Sequence, residues 1–183
     1  MEPKKVAVLL ADGFEEVEAV TPIDFLRRAG VKVIAAGITG KTVTGANGVN
    51  ITADALAKDL PGDLDGVVIP GGMPGAANVA KSKEAGELIK KLLAAGGLVA
   101  AICAAPAVVL GAGGFLSGKR FTCYPGFEKD ITGASFSGDR VVVDGNLITS
   151  RGPGTAAEFS IALIEYLAGK EAADKVFSAT LQK

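Results

Sequence analysis

"KKVAVLLADGFEEVEAVTPIDFLRRAGVKVIAAGIT", residues 4–39, decides how the chain is built. Residues 4–12 are short, apolar and partly β-branched, and they stop at Asp12-Gly13, the pattern of a buried strand. Residues 15–30 then place Val17, Val20 and Phe25 or Leu26 near helical spacing and close on Gly30. Pro22 falls in the middle of that run and is expected to kink or split the helix. Residues 31–39 read as a second strand.

The same alternation continues outward. "KTVTGANGVNITAD" predicts a hairpin turning at Gly45 to Gly48. "LDGVVIPGG" is a strand ending in glycines, and "SKEAGELIKKLLAAGG" is an amphipathic helix with Leu88, Leu92 and Leu93 on one side. "LVAAIC" and "AAPAVVLGAGG" form the next strand and helix. "RVVVDGNLITS" reads as two short strands around Asp144-Gly145. "GTAAEFSIALIEYLAG" is a helix whose Thr155 and Glu158 fit a capping box, and "KEAADKVFSATL" is a last short helix. Several strands are apolar throughout, so the expected fold is α/β: a mostly parallel sheet covered by helices on both faces. No linker, repeat or low-complexity segment divides residues 1–183, which suits a single domain.

Composition removes several functions. The net charge is −1, which gives no electrostatic case for nucleic acid or an anionic membrane. The N-terminal residues lack the pattern of a signal peptide, and no stretch approaches the ~18 apolar residues of a membrane span. Two cysteines build no disulfide framework, and a reducing cytoplasm is the expected location. With no histidine, Ser-His-Asp and Cys-His catalysis and histidine-bearing metal sites are excluded; a four-cysteine zinc site is equally impossible.

In an open parallel sheet, ligands bind beyond the carboxyl ends of the strands. Three such ends carry chemistry here. Cys103 follows "LVAAI" at a strand-to-helix corner, where helix N–H groups are expected to lower the thiol pKa; its bland reading is a small buried hydrophobe. Cys123, in "FTCYPGF", lacks that context and reads as packing. "PGGMPGAAN", residues 70–78, fails both common phosphate-loop patterns. It is either a tight turn or a source of backbone donors for an oxyanion forming beside Cys103. Glu15, Glu16 and Glu18 suit a helix start, and one of them buried beside the thiol would have a raised pKa and move protons.

"AVLLADGFEEVEAVTPIDFLRRAG", "VVIPGGMPGA", "LVAAICAAP" and "LITSRGPGTAAEF", in that order, resemble the ThiJ/PfpI superfamily, and within it the DJ-one branch. The resemblance covers nearly the whole chain. It implies a flavodoxin-like three-layer sandwich, related to the class I glutamine amidotransferase domain, and a homodimer. It implies that Cys103 is an oxidisable nucleophile and that Glu18, as a protonated acid, hydrogen-bonds its sulfur. Gly72 and Ala104 would be the backbone donors of the oxyanion site. Gly71 would line the pocket, Gly152, Pro153 and Gly154 would wall it, and Arg28 would sit at the dimer interface. Two positions depart from the pattern: Tyr124 stands where many relatives carry a histidine, and Asn47 where relatives carry an anion-binding arginine.

The activity implied is a glutathione-independent glyoxalase or protein deglycase, acting on methylglyoxal and related 2-oxoaldehydes or their adducts. Neither cofactor nor metal is expected. The histidine-free site is expected to be weak. A sensor of oxidative stress, or a chaperone, working through oxidation of Cys103 is the alternative.

Overall fold

The computed structural model describes residues 2–183. Strand β1 (Lys5–Leu10) leads into helix α1 (Glu16–Arg28) and strand β2 (Lys32–Gly37). Next come the antiparallel hairpin β3 (Thr42–Thr44) and β4 (Asn50–Thr52), and a two-residue strand β5 (Ala55–Leu56). Strand β6 (Gly66–Ile69), helices α2 (Gly75–Lys81) and α3 (Lys83–Ala95), and strand β7 (Leu98–Ile102) follow. The second half adds a parallel pair, β8 (Arg120–Phe121) with β9 (Ser135–Phe136). It then forms strands β10 (Val141–Asp144) and β11 (Leu147–Ser150) and helices α4 (Ala156–Ala168) and α5 (Lys170–Ala179).

The main sheet has seven strands in the order β5-β2-β1-β6-β7-β11-β10. Neighbours run parallel except β10, which is antiparallel to β11. The order steps from β1 to β2 on one side and returns to β6 on the other, so a topological switch point lies between β1 and β6. Strand residues alternate between two cores. Val6, Val8 and Leu10 of β1 pack with Phe25, Leu26, Phe159 and Leu163 of α1 and α4. Leu9, with Val67, Ile69 and Val99, packs with Val79, Ile89 and Leu92 of α2 and α3. Each such buried side chain contributes roughly 1.5–3 kcal/mol. This is the expected flavodoxin-like α/β sandwich.

Four local expectations are corrected. Helix α1 is not split at Pro22: it runs unbroken from Glu16 to Arg28, with Pro22 buried among Ala19, Phe25 and Leu26. Tertiary packing outweighs the one backbone hydrogen bond that proline removes. The capping box at Thr155 does not form, because the Thr155 hydroxyl bonds the Gly152 carbonyl and the Ser150 hydroxyl while Glu158 pairs with Arg140. The helix expected after Cys103 is a π-helix, Pro106–Gly111. The segment read as a turn at residues 70–78 includes the start of helix α2.

Candidate active site

Cys103 is the first residue past β7, and its φ of 66° puts it in the left-handed region that non-glycine residues avoid. The conformation costs about 1–3 kcal/mol and persists because both ends of the residue are held. Its N–H donates to the Ser150 carbonyl at 2.9 Å, and its carbonyl accepts from the Tyr124 N–H at 2.8 Å. The side chain is partly exposed and packs against both apolar cores at once.

Glu18 reaches the same point from α1. Its side chain is fully buried. Oε2 accepts the Gly71 N–H at 2.8 Å, while the Gly71 carbonyl accepts the Glu15 N–H at 3.0 Å. The helix start therefore grips both ends of one residue in the β6–α2 turn. Gly71 has to be glycine: a Cβ there would lie 2.6 Å from Cys103 Cβ and 2.7 Å from Glu18 Oε2. Glu18 Oε1 is buried with no hydrogen-bond partner of ordinary geometry.

Burial pushes the Glu18 carboxyl up to about 7; its contact with the Cys103 thiol opposes this, the charge of Glu15 adds to it, and the Gly71 N–H opposes it. The Cys103 thiol is pushed up to about 12, first by burial, then by the charge and hydrogen bond of Glu18. That corrects the expected lowering. The sulfur faces a carboxylate in a partly buried corner, and the helix after it starts only at Pro106. The N–H groups of Gly72 and Ala104 pull the thiol pKa down, without overcoming Glu18. Glu18 near 7 can accept and return a proton at neutral pH, and the thiol beside it is the nearest source.

Of the residues singled out in the sequence, Cys103, Glu18, Gly71, Gly72 and Ala104 come together. Gly152 and Tyr124 border them: a Cβ on Gly152 would lie 3.4 Å from the Tyr124 ring and 4.0 Å from Glu18 Oε1. Tyr124 is 47% exposed and meets Phe127 edge-on at 6.2 Å. Pro153 begins a 3-10 turn, and the Gly154 carbonyl accepts from Arg140. Asn47 is turned to Glu16, whose carboxylate takes its N–H at 2.7 Å and its Nδ2 at 2.8 Å. Arg28 pairs with Asp24 at 2.6 Å near the far end of α1. Cys123 is fully buried.

Sequence reasoning placed Glu15 and Glu16 at a helix start, which the structure bears out for Glu15, but it did not give the contacts they make, and it left out Ser150. Glu15 caps α1 by accepting the Glu18 N–H at 2.7 Å. Glu16 ties the β3–β4 turn to the start of α1. The Ser150 and Thr155 hydroxyls, 2.7 Å apart and buried, brace the loop at Gly152. Polar residues inside "LITSRGPGT" were the available signal, because buried hydroxyls require partners. A cavity of about 590 Å³ opens beyond Tyr124, lined in part by Ala107, Gly111, Phe127 and Ile131; it includes neither Cys103 nor Glu18.

Residues 4–166 match the model of the DJ-1/PfpI family. The chain is similar to protein dj-1beta of Drosophila melanogaster, 44% identical over 182 residues that cover 97% of each chain. It is 38% identical over 176 residues to the glutathione-independent glyoxalase DJR-1.2 of Caenorhabditis elegans, covering 93% of each. The solved structure of oxidised DJ-1 from Toxoplasma gondii superposes with a TM-score of 0.95 at 40% identity, covering 98% of each chain. Against DJ-1 homologs B and A of Arabidopsis thaliana, the chain spans 40% and 46% of the relatives' length.

Proposed function

This chain belongs to the DJ-1/PfpI family, and from that premise we propose that it is a cofactor-independent glyoxalase or deglycase acting on methylglyoxal and related 2-oxoaldehydes or their adducts. The observation that carries the reading is the Cys103–Glu18 pair, a partly exposed thiol and a buried, proton-exchanging carboxyl that meet at Gly71, where a Cβ would lie 2.6 Å from Cys103 Cβ and 2.7 Å from Glu18 Oε2. The glyoxalase activity named for the nematode relative supports it.

The chemistry closes without a histidine. Glu18 takes the thiol proton as the Cys103 sulfur bonds the aldehyde carbon, and the carbonyl electron pair moves onto oxygen. The N–H groups of Gly72 and Ala104 steady that oxygen, which then receives the proton from Glu18, giving a hemithioacetal. Glu18 next removes the hydrogen from the former aldehyde carbon; the neighbouring ketone oxygen gains a proton, and an enediol forms. The hydroxyl on the sulfur-bearing carbon then gives up its proton as its carbonyl forms, and through Glu18 a proton is delivered to the former ketone carbon, giving a 2-hydroxy thioester. Water cleaves the thioester to a 2-hydroxy acid and frees the thiol. The sum is one 2-oxoaldehyde plus one water. Lactate formed from methylglyoxal without added thiol, by the wild type but not by Cys103→Ala, is the deciding measurement.

A second reading, an oxidative-stress sensor, is favoured by the unpartnered Glu18 Oε1 beside a partly exposed sulfur, and by a relative solved in an oxidised state. Intact mass after mild peroxide tests it. In either reading the working unit is a homodimer in the cytoplasm. The exposed valines Val17 and Val20 on α1 and Val49 beside it support the dimer.

A further inference from the structure

Three hydrogen bonds close a ring at the start of α1. The Glu18 N–H donates to Glu15 Oε2 at 2.7 Å, the Gly71 N–H donates to Glu18 Oε2 at 2.8 Å, and the Glu15 N–H donates to the Gly71 carbonyl at 3.0 Å. Glu15 enters the ring with both its side chain and its backbone. It also packs against the next residue of the turn, since a Cβ on Gly72 would overlap the Glu15 nitrogen. Glu15 is the N-cap of α1, a position that Ser, Thr, Asp and Asn usually fill. A neutral Ser or Asn would cap the helix as well. The carboxylate adds a charge at the i, i+3 position to Glu18, where side chains on a helix are neighbours.

We propose that Glu15 is a positioning residue for the Cys103–Glu18 pair: its cap fixes where the Glu18 carboxyl lies, and its charge makes that carboxyl hold its proton. The groups facing the carboxyl from other elements are the Cys103 thiol at the end of β7, the Gly71 N–H and, past Gly152, the Tyr124 ring. Glu16, on the same helix, is turned to Asn47. Glu15 is the charge on α1 that opposes a second one on Glu18, in the same direction as burial. Without the cap, the Glu18 N–H loses its acceptor, and the ring no longer holds the carboxyl against Gly71 and Cys103. Proton transfer is sensitive to such a displacement, because about 1 Å of misplacement can cost a hundredfold in rate.

The test compares Glu15→Gln, which keeps an acceptor of the same reach and drops the charge, with Glu15→Ala, which drops both, in the full chain. The Glu18 titration midpoint is read by NMR from its side-chain carboxyl carbon in glutamate-labelled protein, the signal being assigned by its loss in Glu18→Gln. Glu15→Gln should lower the midpoint by about half a pH unit or more, and an unchanged or raised midpoint overturns the proposal. Hydrogen exchange at the Gly71 N–H should be about tenfold faster or more in Glu15→Ala and close to wild type in Glu15→Gln; equal exchange in all three overturns it. Methylglyoxal turnover is the third readout. Glu15→Ala should lower kcat on the order of tenfold or more, with KM changed by less than about twofold. Glu15→Gln should recover most of kcat, with the acid limb of its pH profile moved down by the shift of the carboxyl midpoint. Wild-type kcat in Glu15→Ala, or a Glu15→Gln that falls as far, overturns the proposal. This readout rests on the glyoxalase reading and the other two do not: if the wild type shows no turnover, that reading fails, and the midpoint and the exchange rate still decide the role of Glu15.

Discussion

Gly71 and Glu18 are joined across 53 positions of sequence by one buried hydrogen bond, Gly71 N–H to Glu18 Oε2 at 2.8 Å. The bond ties the turn after β6 to the helix after β1, on the two sides of the switch point. Without it, nothing in the turn would hold the carboxyl beside the Cys103 thiol.

Gly71→Ala should therefore disrupt the site more than its size suggests. The added Cβ would overlap Cys103 Cβ and Glu18 Oε2. Overpacking of this kind costs about 1–3 kcal/mol. Urea denaturation should register that loss, and methylglyoxal turnover should fall well beyond it. Wild-type activity in this variant would mean that the pair tolerates displacement.

Glu18 also sets a pH dependence of stability. Its folded pKa, about 7, lies above the ordinary value of 4.5, so the folded state holds the extra proton between those values. Stability from this group is complete below about pH 4.5, falls as pH rises through 7, and levels off above. The loss is about 3 kcal/mol at most. Glu18→Gln should be more stable than wild type at pH 8, with the advantage gone near pH 5, as read by denaturation midpoints at the two pH values. A constant difference would remove the titration from Glu18.

The two thiols should separate by access. Both are raised, Cys103 to about 12 and Cys123 to about 11, but only Cys103 is partly exposed. Iodoacetamide at neutral pH should label Cys103 first, and Cys123 only after unfolding. Peptide mass mapping reads the order, and equal labelling would contradict the burial of Cys123.

Tyr124 acts on Cys103 through its backbone, whose N–H holds the Cys103 carbonyl, while its ring is half exposed. Tyr124→Phe keeps that bond and should change stability and turnover by no more than the ~0.5–1.5 kcal/mol of one neutral hydrogen bond. Tyr124→His should raise turnover if proton transfer limits the rate. A large loss in Tyr124→Phe would give the phenol a direct part in the reaction.

The dimer has its own test. Val20 is 47% exposed on α1, between Val17 and Asp24. Val20→Lys should shift sedimentation at micromolar concentration from dimer to monomer while leaving helix content intact. A monomeric wild type would end the proposal.

Much of the fold was legible because each layer has its own period. Residues 4–39 hold two apolar runs around a helical repeat, and they became β1, α1 and β2. The hairpin at Gly45–Gly48 announced itself through turn residues. What escaped was decided by distant partners. Pro22 forecasts a broken helix until its buried neighbours are known. Thr155 and Glu158 have capping spacing, yet Ser150 and Arg140 claim their side chains. The site divides in the same way. Cys103 and the glycines after β6 could be read from strand ends, and the family resemblance singled out Glu18. The direction of the Cys103 shift could not be read, because it depends on a carboxylate brought from 85 positions away to the sulfur.

Cys103 touches the apolar cores on both faces of the sheet. A group bonded to its sulfur therefore presses on two layers together, from a backbone already held in a costly conformation. The residue behaves as a built-in strain gauge. Each adduct, whether alkyl, oxide or acyl, should leave its own melting temperature, so a thermal scan could sort inhibitors by how they seat before any turnover is measured.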